Sequence, residues 1–307
     1  LGVKGYTYHY SFSIPDERIF REFLFSGNYI LEIVDLDSGE LLGRARFFVT
    51  DTIVRPAMKI ENRQEPSEEN PYYQVNRIDV TFAIPPPDSA VSYFPLDFTL
   101  VDVYKNREVS RPWRIDGKDE NPHTFVEGFG TKSLTFRIDN VPPGNEYRTI
   151  NLENVDFYPQ DRLLRSRGGA DVSRFLGRIV RDNNGASSIV QGTRYAEYLD
   201  FEFELLWDTQ SDSVFVVGDF NQWSPENSIP MRREGGRYRW QTSVRRGRYD
   251  YQYVVGNNWI ILEGNDWRTI NRYTAVVYYR DPRFGGFDRI VGVGRGQNPG
   301  GTSATAH

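Results

Sequence analysis

The sequence predicts an all-β protein built from tandem immunoglobulin-like or early-set β-sandwiches. Apolar and polar residues alternate in "RIDVTFAI" (77–84), "SLTFRID" (133–139) and "YLDFEFELLW" (198–207). A period of two is typical of strands with one buried face and one solvated face. Clusters such as "IPPPDSA", "VPPGNE" and "RDNNGASS" separate these segments where turns are needed.

The composition limits the classes of function that the chain can have. Its 307 residues, 38% of them hydrophobic, suffice for two or three packed cores. The absence of cysteine excludes disulfides, thiolate catalysis and zinc–thiolate sites. No apolar run is long enough to cross a bilayer, so no membrane insertion is expected. With 37 basic and 42 acidic residues, the chain has no general electrostatic attraction to nucleic acid.

Composition and turn clusters predict four parts along the chain. Residues 1–52 are expected to form a partial N-terminal β domain ending in a hairpin around "DSGE" (37–40). A lone hairpin is marginal in water, so this part requires a missing N-terminal half, a neighbouring domain or a partner. Residues 53–186 are predicted to form a middle sandwich and residues 187–283 a C-terminal early-set sandwich. The Gly-rich segment 284–307 is predicted to be a mobile tail.

Groups suited to catalysis are sparse in the sequence. The three histidines, His9, His123 and His307, show no metal-ligand spacing and no local nucleophile. Acidic residues are common, but Glu202 and Glu204 lie on the solvated face of an amphipathic strand, where charge is ordinary. The sequence therefore predicts a protein that is not an enzyme and that needs no cofactor or metal.

The segment from Val214 to about Tyr279 resembles the early-set sandwich of glycogen-binding modules, such as those of AMP-activated kinase β-subunits and starch-branching enzymes. The matching pieces are "VFVVGDFNQW" and "GGRYRWQTSVRRGRYDYQYVVGNNW". In these modules two tryptophans stack on sugar rings while a lysine and an asparagine bind hydroxyls. The resemblance implies four carbohydrate-binding positions in this chain: Trp223, Trp259, Gln252 in place of the lysine, and Asn271 as the nearest asparagine.

A packing role for Trp223 is the alternative to sugar stacking. An aromatic side chain at a turn usually packs, so Trp223 could cover its own turn and the edge of the sheet. On the strand "RYDYQYVV" the tyrosines at 249, 251 and 253 share one face, which is predicted to be the inner one. The sequence therefore supports the fold of a sugar module more strongly than its binding site.

A second resemblance extends over nearly the whole chain. Seven ordered blocks are similar to the plug protein family of the bacterial type IX secretion system: "YTYHYSFSIPDERIFREFLFSGNYIL", "RARFFVTD", "PPGNEYRTINLENVDF", "VFVVGDFNQW", "RRGRYDYQYVV", "ILEGNDWRTINRYTAVVYYRDP" and "FDRIVGVG". The resemblance implies a soluble periplasmic protein that binds and seals the outer-membrane translocon barrel by shape alone. Polysaccharide binding through the C-terminal module is the alternative function.

Four residues are candidates for the partner interface: Trp113, Glu146, Arg148 and Trp267. Trp113 lies between two arginines in "RPWR", either as a stacking cluster or in a capped loop. Glu146 and Arg148 are two apart on a predicted strand, where they form either an ion pair or a contact point. The arginines between 162 and 181 are interleaved with aspartates, which favours a solvated or protein-contact face over a nucleic-acid site.

Overall fold

The computed structural model describes residues 11–16, 20–65, 73–87, 92–173, 182–191, 197–211 and 213–300. The predicted all-β class is confirmed. The strands are β1 (Gly27–Val34), β2 (Leu41–Val49), β3 (Ala57–Gln64), β4 (Gln74–Ala83), β5 (Phe98–Lys105), β6 (Trp113–Asp116), β7 (Thr124–Glu127), β8 (Ser133–Val141), β9 (Arg148–Asn151), β10 (Leu164–Arg165), β11 (Ser188–Ile189), β12 (Tyr198–Leu206), β13 (Val214–Gly218), β14 (Arg232–Glu234), β15 (Arg237–Arg245), β16 (Gly247–Val255), β17 (Arg272–Asp281) and β18 (Phe287–Gln297).

Helical structure in the described ranges consists of short 3-10 turns. These turns are Pro95–Asp97, Asp219–Asn221, Pro225–Asn227 and Pro282–Phe284. Among the described residues, then, no helix has the length and apolar character needed to cross a membrane.

The first sandwich packs the sheet β3-β4-β8-β7 against the sheet β18-β17-β5-β6. The predicted alternation is confirmed in its core, where Ile78, Val80 and Phe82 of β4 are buried with side chains of β8, β5 and β17. On the outer face of the same sheet, Arg137 of β8 pairs with Asp79 of β4 at 2.7 Å. The period-two pattern therefore sorts apolar side chains inward and paired charges outward.

The second sandwich packs the sheet β10-β12-β15-β14 against the sheet β11-β16-β13, to which β9 adds through β16. The predicted inward residues of β12 and β16 form its core, which contains Leu199, Phe201, Phe203, Leu205, Tyr249, Tyr251 and Tyr253. The opposite face of β16 is also buried, including Asp250, Gln252 and Val254. Another layer of the protein therefore covers this strand on the side that the sequence predicts to be outer.

Strand pairing differs from the predicted domain boundaries. The strand β17, placed by the sequence in the 187–283 domain, pairs with β5 of the first sandwich from Tyr273 to Tyr279. The strand β9, placed in the 53–186 domain, pairs with β16 of the second sandwich. The chain thus leaves the first sandwich after β8, builds the second sandwich from β9 to β16, and then returns. Alternation identifies a strand but not its partner, so this insertion is not visible in the sequence pattern.

The predicted tail 284–307 contains the longest strand of the described ranges, β18. Its glycines are needed for close packing against the segment that leads into β3. A Cβ atom at Gly292 would lie 2.6 Å from the Val54 carbonyl oxygen, and one at Gly294 would lie 2.8 Å from that of Pro56. The glycine content therefore reflects two backbones in contact rather than a mobile tail. Residues 301–307 lie outside the described ranges.

The N-terminal hairpin forms a separate two-stranded sheet of β1 and β2. Asp35 fixes its turn, because the carboxylate accepts bonds from the backbone N–H of Asp37 at 3.0 Å and of Ser38 at 2.7 Å. One face of the hairpin lies on the first sandwich, where the Tyr278 hydroxyl donates to Asn28 Oδ1 at 3.0 Å. Of the three predicted ways to support this hairpin, the structure contains a neighbouring domain.

Candidate functional site

The turn after β13 directs Trp223 into the protein. Asn221 Oδ1 accepts a bond from the Gly218 N–H at 2.9 Å, and the Trp223 N–H donates to the Gly218 carbonyl at 2.8 Å. Gln222 and Trp223 both adopt left-handed backbone conformations, with φ of 58° and 55°. This closed turn reverses the chain, and the Trp223 side chain is fully buried.

Other segments of the chain cover the Trp223 indole. The Tyr147 ring lies 4.4 Å away between centroids, and the indole Nε1 donates to the Gly185 carbonyl at 3.0 Å. Gly185 has φ of +81°, and a Cβ atom there would be 3.0 Å from the indole Cζ2. The Ser110 hydroxyl donates to the Trp223 carbonyl at 2.6 Å. Buried Val217, Val254 and Trp259 complete this cluster, which we call the joint because it lies between the two sandwiches.

Trp259 carries an arginine near its ring. The Arg111 guanidinium lies 4.9 Å from the Trp259 ring centroid and 5.4 Å from that of Trp113. Burial lowers the pKa of Arg111, while Glu108 and Tyr147 oppose that shift. A cation over an indole is attracted to the negative face of the ring, so Arg111 occupies an aromatic surface that a sugar would otherwise contact.

Gln252 and Asn271 are also buried. The Gln252 amide donates to the Trp259 carbonyl at 3.4 Å. The Asn271 amide donates to the Pro143 carbonyl at 2.9 Å, and its oxygen accepts a bond from the Asn106 amide at 2.8 Å. All four residues that the resemblance implies for carbohydrate binding therefore lie inside the protein, so they do not form an exposed surface for a sugar. The alternative for Trp223, that it packs, matches the structure.

Glu146 and Arg148 are buried too, which corrects their prediction as contact points. The Arg148 Nε donates to both carboxylate oxygens of Glu263 at 3.0 and 2.9 Å, and Asp171 lies 3.3 Å from the same guanidinium. Burial alone would lower the pKa of Arg148. The negative charges of Glu263 and Asp171 have the larger effect, so the pKa of Arg148 is raised. Glu146 accepts bonds from the backbone N–H of Asp182 and of Ile270, each at 3.2 Å. Both side chains therefore hold the second sandwich and its loops together.

The two remaining partner candidates differ in accessibility. Trp113 is partly buried against the core of the first sandwich, in contact with Arg111. Trp267 is 40% exposed, in a loop where Asn265 Oδ1 accepts a bond from the Gly144 N–H at 2.8 Å. Only Trp267 of the four predicted residues offers substantial surface to an external molecule.

Polar residues that the sequence analysis missed surround the joint. The Tyr147 hydroxyl donates to Glu108 Oε1 at 2.6 Å, and the Lys105 ammonium lies 3.0 Å from the same oxygen. Burial raises the pKa of Tyr147 well above its usual value. Glu108 lies in "KNREVS", an ordinary polar stretch, so only its position in the fold distinguishes it.

Carboxylates hold the loop that carries Gly185. Asp182 accepts bonds from the backbone N–H of Tyr147 and of Asn184, and Asp250 accepts from Asn183 at 2.7 Å and Gly185 at 3.0 Å. Burial raises the pKa of Asp182 to about 7, helped by the charges of Glu146 and Asp250 and opposed by the two backbone bonds. Within the described residues, no group of three His, Asp or Glu side chains is placed to hold a metal ion.

Comparison with known proteins identifies a similarity over one part of the chain. Residues 201–277 match the family model for the glycogen recognition site of AMP-activated protein kinase. No curated protein matches the chain. A crystal structure of a hypothetical protein from Parabacteroides merdae ATCC 43184 has the same fold with a TM-score of 0.68 at 18% identity, covering 89% of this chain and 72% of that chain. The second sandwich is therefore similar to a glycogen recognition module, with the two predicted stacking tryptophans buried in the joint.

Proposed function

We propose that the protein is not an enzyme and acts by binding another protein, the outer-membrane translocon barrel of the type IX secretion system, in the periplasm. The choice of partner rests on the seven sequence blocks that resemble the plug family. The choice of protein over glucan rests on one observation: Trp223 and Trp259 are covered within the chain, whereas the N-terminal hairpin leaves apolar side chains in solvent.

The hairpin has an apolar face directed away from the first sandwich. Tyr29 and Leu31 of β1 lie opposite Phe47 and Ala45 of β2 on this face. Phe23 packs edge-on against Tyr29 and Phe47, with ring centroids 5.0 and 5.6 Å away. Among the described residues no second sheet covers this face. We call it the outer hairpin face.

Large apolar side chains are also exposed near the turn of the hairpin. Leu36 is 99% exposed and Leu42 is 61% exposed. Exposed apolar side chains that form a contiguous patch are typical of protein contact sites. A stable interface of standard size buries about 800 Å² on each partner, so the outer hairpin face would need additional loops of the two sandwiches to complete the contact. The proposed plug would therefore act as a rigid body that binds by shape and blocks the barrel sterically.

Retention of the barrel from solubilised outer membranes tests this proposal. Unmodified protein is expected to retain a large outer-membrane barrel protein identified by mass spectrometry. The variant Leu36→Ser with Leu42→Ser is expected to reduce the retained amount about tenfold, because it removes two exposed apolar side chains whose burial would stabilise the complex. The control is Ile229→Ser, which changes an apolar side chain 69% exposed on the second sandwich. Absence of any barrel in the retained fraction would contradict the proposal.

Polysaccharide binding is the second candidate, favoured by the family match of residues 201–277. It is tested by titrating the protein with glycogen and with maltoheptaose while tryptophan fluorescence is measured. Because the chain itself covers Trp223 and Trp259, we expect no saturable quenching. The variant Trp267→Phe removes the exposed indole, so quenching that persists in this variant would show that a glucan reaches another tryptophan and would favour the sugar function.

A further inference from the structure

An open cleft of about 590 Å³ lies on the second sandwich, between the turn at 156–158 and the segment 162–167. It is separate from the joint and from the hairpin. The segment 162–167 contains β10, the outer strand of its sheet, which pairs with β12. No residue of β12 lines the cleft. The cleft therefore lies along the side of β10 that faces away from its sheet.

The turn that forms one wall of the cleft is held in place. Asn154 Oδ1 accepts bonds from the backbone N–H of Asp156 at 2.9 Å and of Phe157 at 3.1 Å. Behind the turn, the fully buried Arg246 donates to the Tyr158 carbonyl at 2.7 Å. Arg246 also pairs with Glu197, which balances its charge. The position of Phe157 is thus fixed before any ligand binds.

An arginine rests on the exposed ring of Phe157. The Arg167 guanidinium lies 3.9 Å from the ring centroid, and the ring is 52% exposed. A guanidinium stacked on a ring keeps its N–H groups free at the edge, where they can donate to a carboxylate in a planar, two-bond arrangement. Arg167 is therefore oriented as a receptor for an anion.

The charge of the cleft is positive. Arg162, Arg165 and Arg167 line it together with a single carboxylate, Asp156. Arg165 pairs with Glu202 at 2.6 Å. Within the described residues, Arg162 and Arg167 have no carboxylate within ion-pair distance. The cleft thus offers two cationic groups that no carboxylate of the described residues neutralises.

The edge of β10 can add a backbone interaction to these charges. A strand has donors and acceptors on both sides, and β12 uses those on one side of Leu164 and Arg165. Among the described residues none pairs with the other side. An extended peptide can bind such an edge as an additional strand, with its side chains reaching alternate pockets.

We propose that this cleft binds an extended acidic peptide segment of a partner protein, which adds to the outer edge of β10 and places carboxylates on Arg162 and Arg167. The open strand edge favours a peptide over an anionic polysaccharide, because a peptide presents N–H and C=O groups at the spacing that pairs with a strand edge. The proposal does not depend on the translocon as partner, since the cleft and the outer hairpin face lie on different parts of the chain.

Binding of a short acidic peptide tests the proposal on the intact chain. The probe is a fluorescein-labelled Glu-Val-Glu-Thr-Glu-Val peptide, and its binding is followed by fluorescence anisotropy. We expect saturable binding that Arg162→Ala with Arg167→Ala weakens by about tenfold or more, as for the loss of charge-assisted hydrogen bonds. Arg55→Ala, which removes an exposed arginine of the first sandwich, is the control and should leave binding unchanged.

Two further measurements separate the parts of the proposal. A peptide with the same three glutamates but proline at the other positions lacks the backbone N–H at three of its six positions and cannot pair continuously as a strand, so it should bind more weakly than the first peptide. A sulfated heparin tetrasaccharide carries the charge without a peptide backbone. Equal or tighter binding of the tetrasaccharide, equal binding of the proline peptide, or no binding of any probe would each overturn the proposal.

Discussion

Two regions of the molecule contain many large apolar side chains: the joint and the N-terminal hairpin. Other parts of the chain cover those of the joint, whereas several of those on the hairpin are exposed. In the joint, Tyr147, Gly185 and Arg111 cover two indoles that resemble sugar-binding tryptophans. On the hairpin, Leu36 and Leu42 remain mostly exposed although they have no polar group to solvate. An apolar or aromatic residue thus becomes a binding surface only where the rest of the chain leaves it uncovered.

Truncation of Trp223 in the joint is expected to lower the free energy of unfolding more than any other substitution considered. The variant Trp223→Ala removes a buried indole and leaves the Gly185 carbonyl without its donor, so we expect a loss of about 3 to 5 kcal/mol in the free energy of unfolding. The measurement is urea denaturation followed by circular dichroism. Trp267→Ala, which changes an exposed indole, should cost about 1 kcal/mol or less. Similar losses in the two variants would remove the distinction between joint and surface.

Ion pairs provide the second comparison. The variant Arg148→Met leaves Glu263 and Asp171 without their cation in a buried site, which should cost about 3 kcal/mol. The matched variant on the hairpin is Arg44→Met, whose partner Glu32 lies 2.6 Å away with both side chains about half exposed. This exposed pair should contribute about 1 kcal/mol or less. Urea denaturation of both variants measures the difference, and a costly Arg44→Met would show that the hairpin is more tightly packed than its exposure indicates.

Substitutions at two glycines distinguish the cost of backbone strain from the cost of a steric clash with neighbouring atoms. Gly39 in the hairpin turn and Gly185 in the joint have φ of +73° and +81°, but only Gly185 has another group within contact distance. Gly39→Ala should cost about 1 kcal/mol for the left-handed conformation alone. Gly185→Ala should cost about 2 kcal/mol, since its Cβ atom would also displace Trp223. Equal thermal shifts for the two variants would mean that the indole can move away freely.

Much of the fold can be predicted from sequence because alternation depends on local residues. The strands with Ile78, Val80 and Phe82 and with Leu199, Phe201 and Phe203 have the predicted inner faces. The return of β17 to the first sandwich could not be predicted, since strand pairing depends on the whole fold. Nor could the cover on Trp223, because Tyr147 and Gly185 are distant in sequence and neither is unusual in composition.

The pH dependence of stability is the last test of the joint. Burial raises the pKa of Asp182 to about 7 in the folded protein, from the usual value of 3.8 for an aspartate. The folded state therefore binds a proton that the unfolded state has lost between these values, and the stability from Asp182 should fall as pH rises from about 4 towards 7. Asp182→Asn should make the free energy of unfolding depend less on pH over this range, even if the substitution also changes stability by a constant amount. Urea denaturation at pH 4.5, 6 and 8 measures both effects. An unchanged slope would contradict a buried, proton-binding carboxylate in the joint.

The insertion of one sandwich into another also fixes the order in which the protein can be completed during synthesis. From the end of β8 at Val141 to the start of β17 at Arg272 the ribosome must add 131 residues, which takes roughly 7 to 26 seconds at roughly 5 to 20 residues per second. Until then β5 lacks β17, its neighbour on one side, and the inserted sandwich, whose last strand ends at Val255, is completed shortly before β17 is made. The nascent chain therefore has an exposed strand edge for a period in which a holding chaperone would be useful.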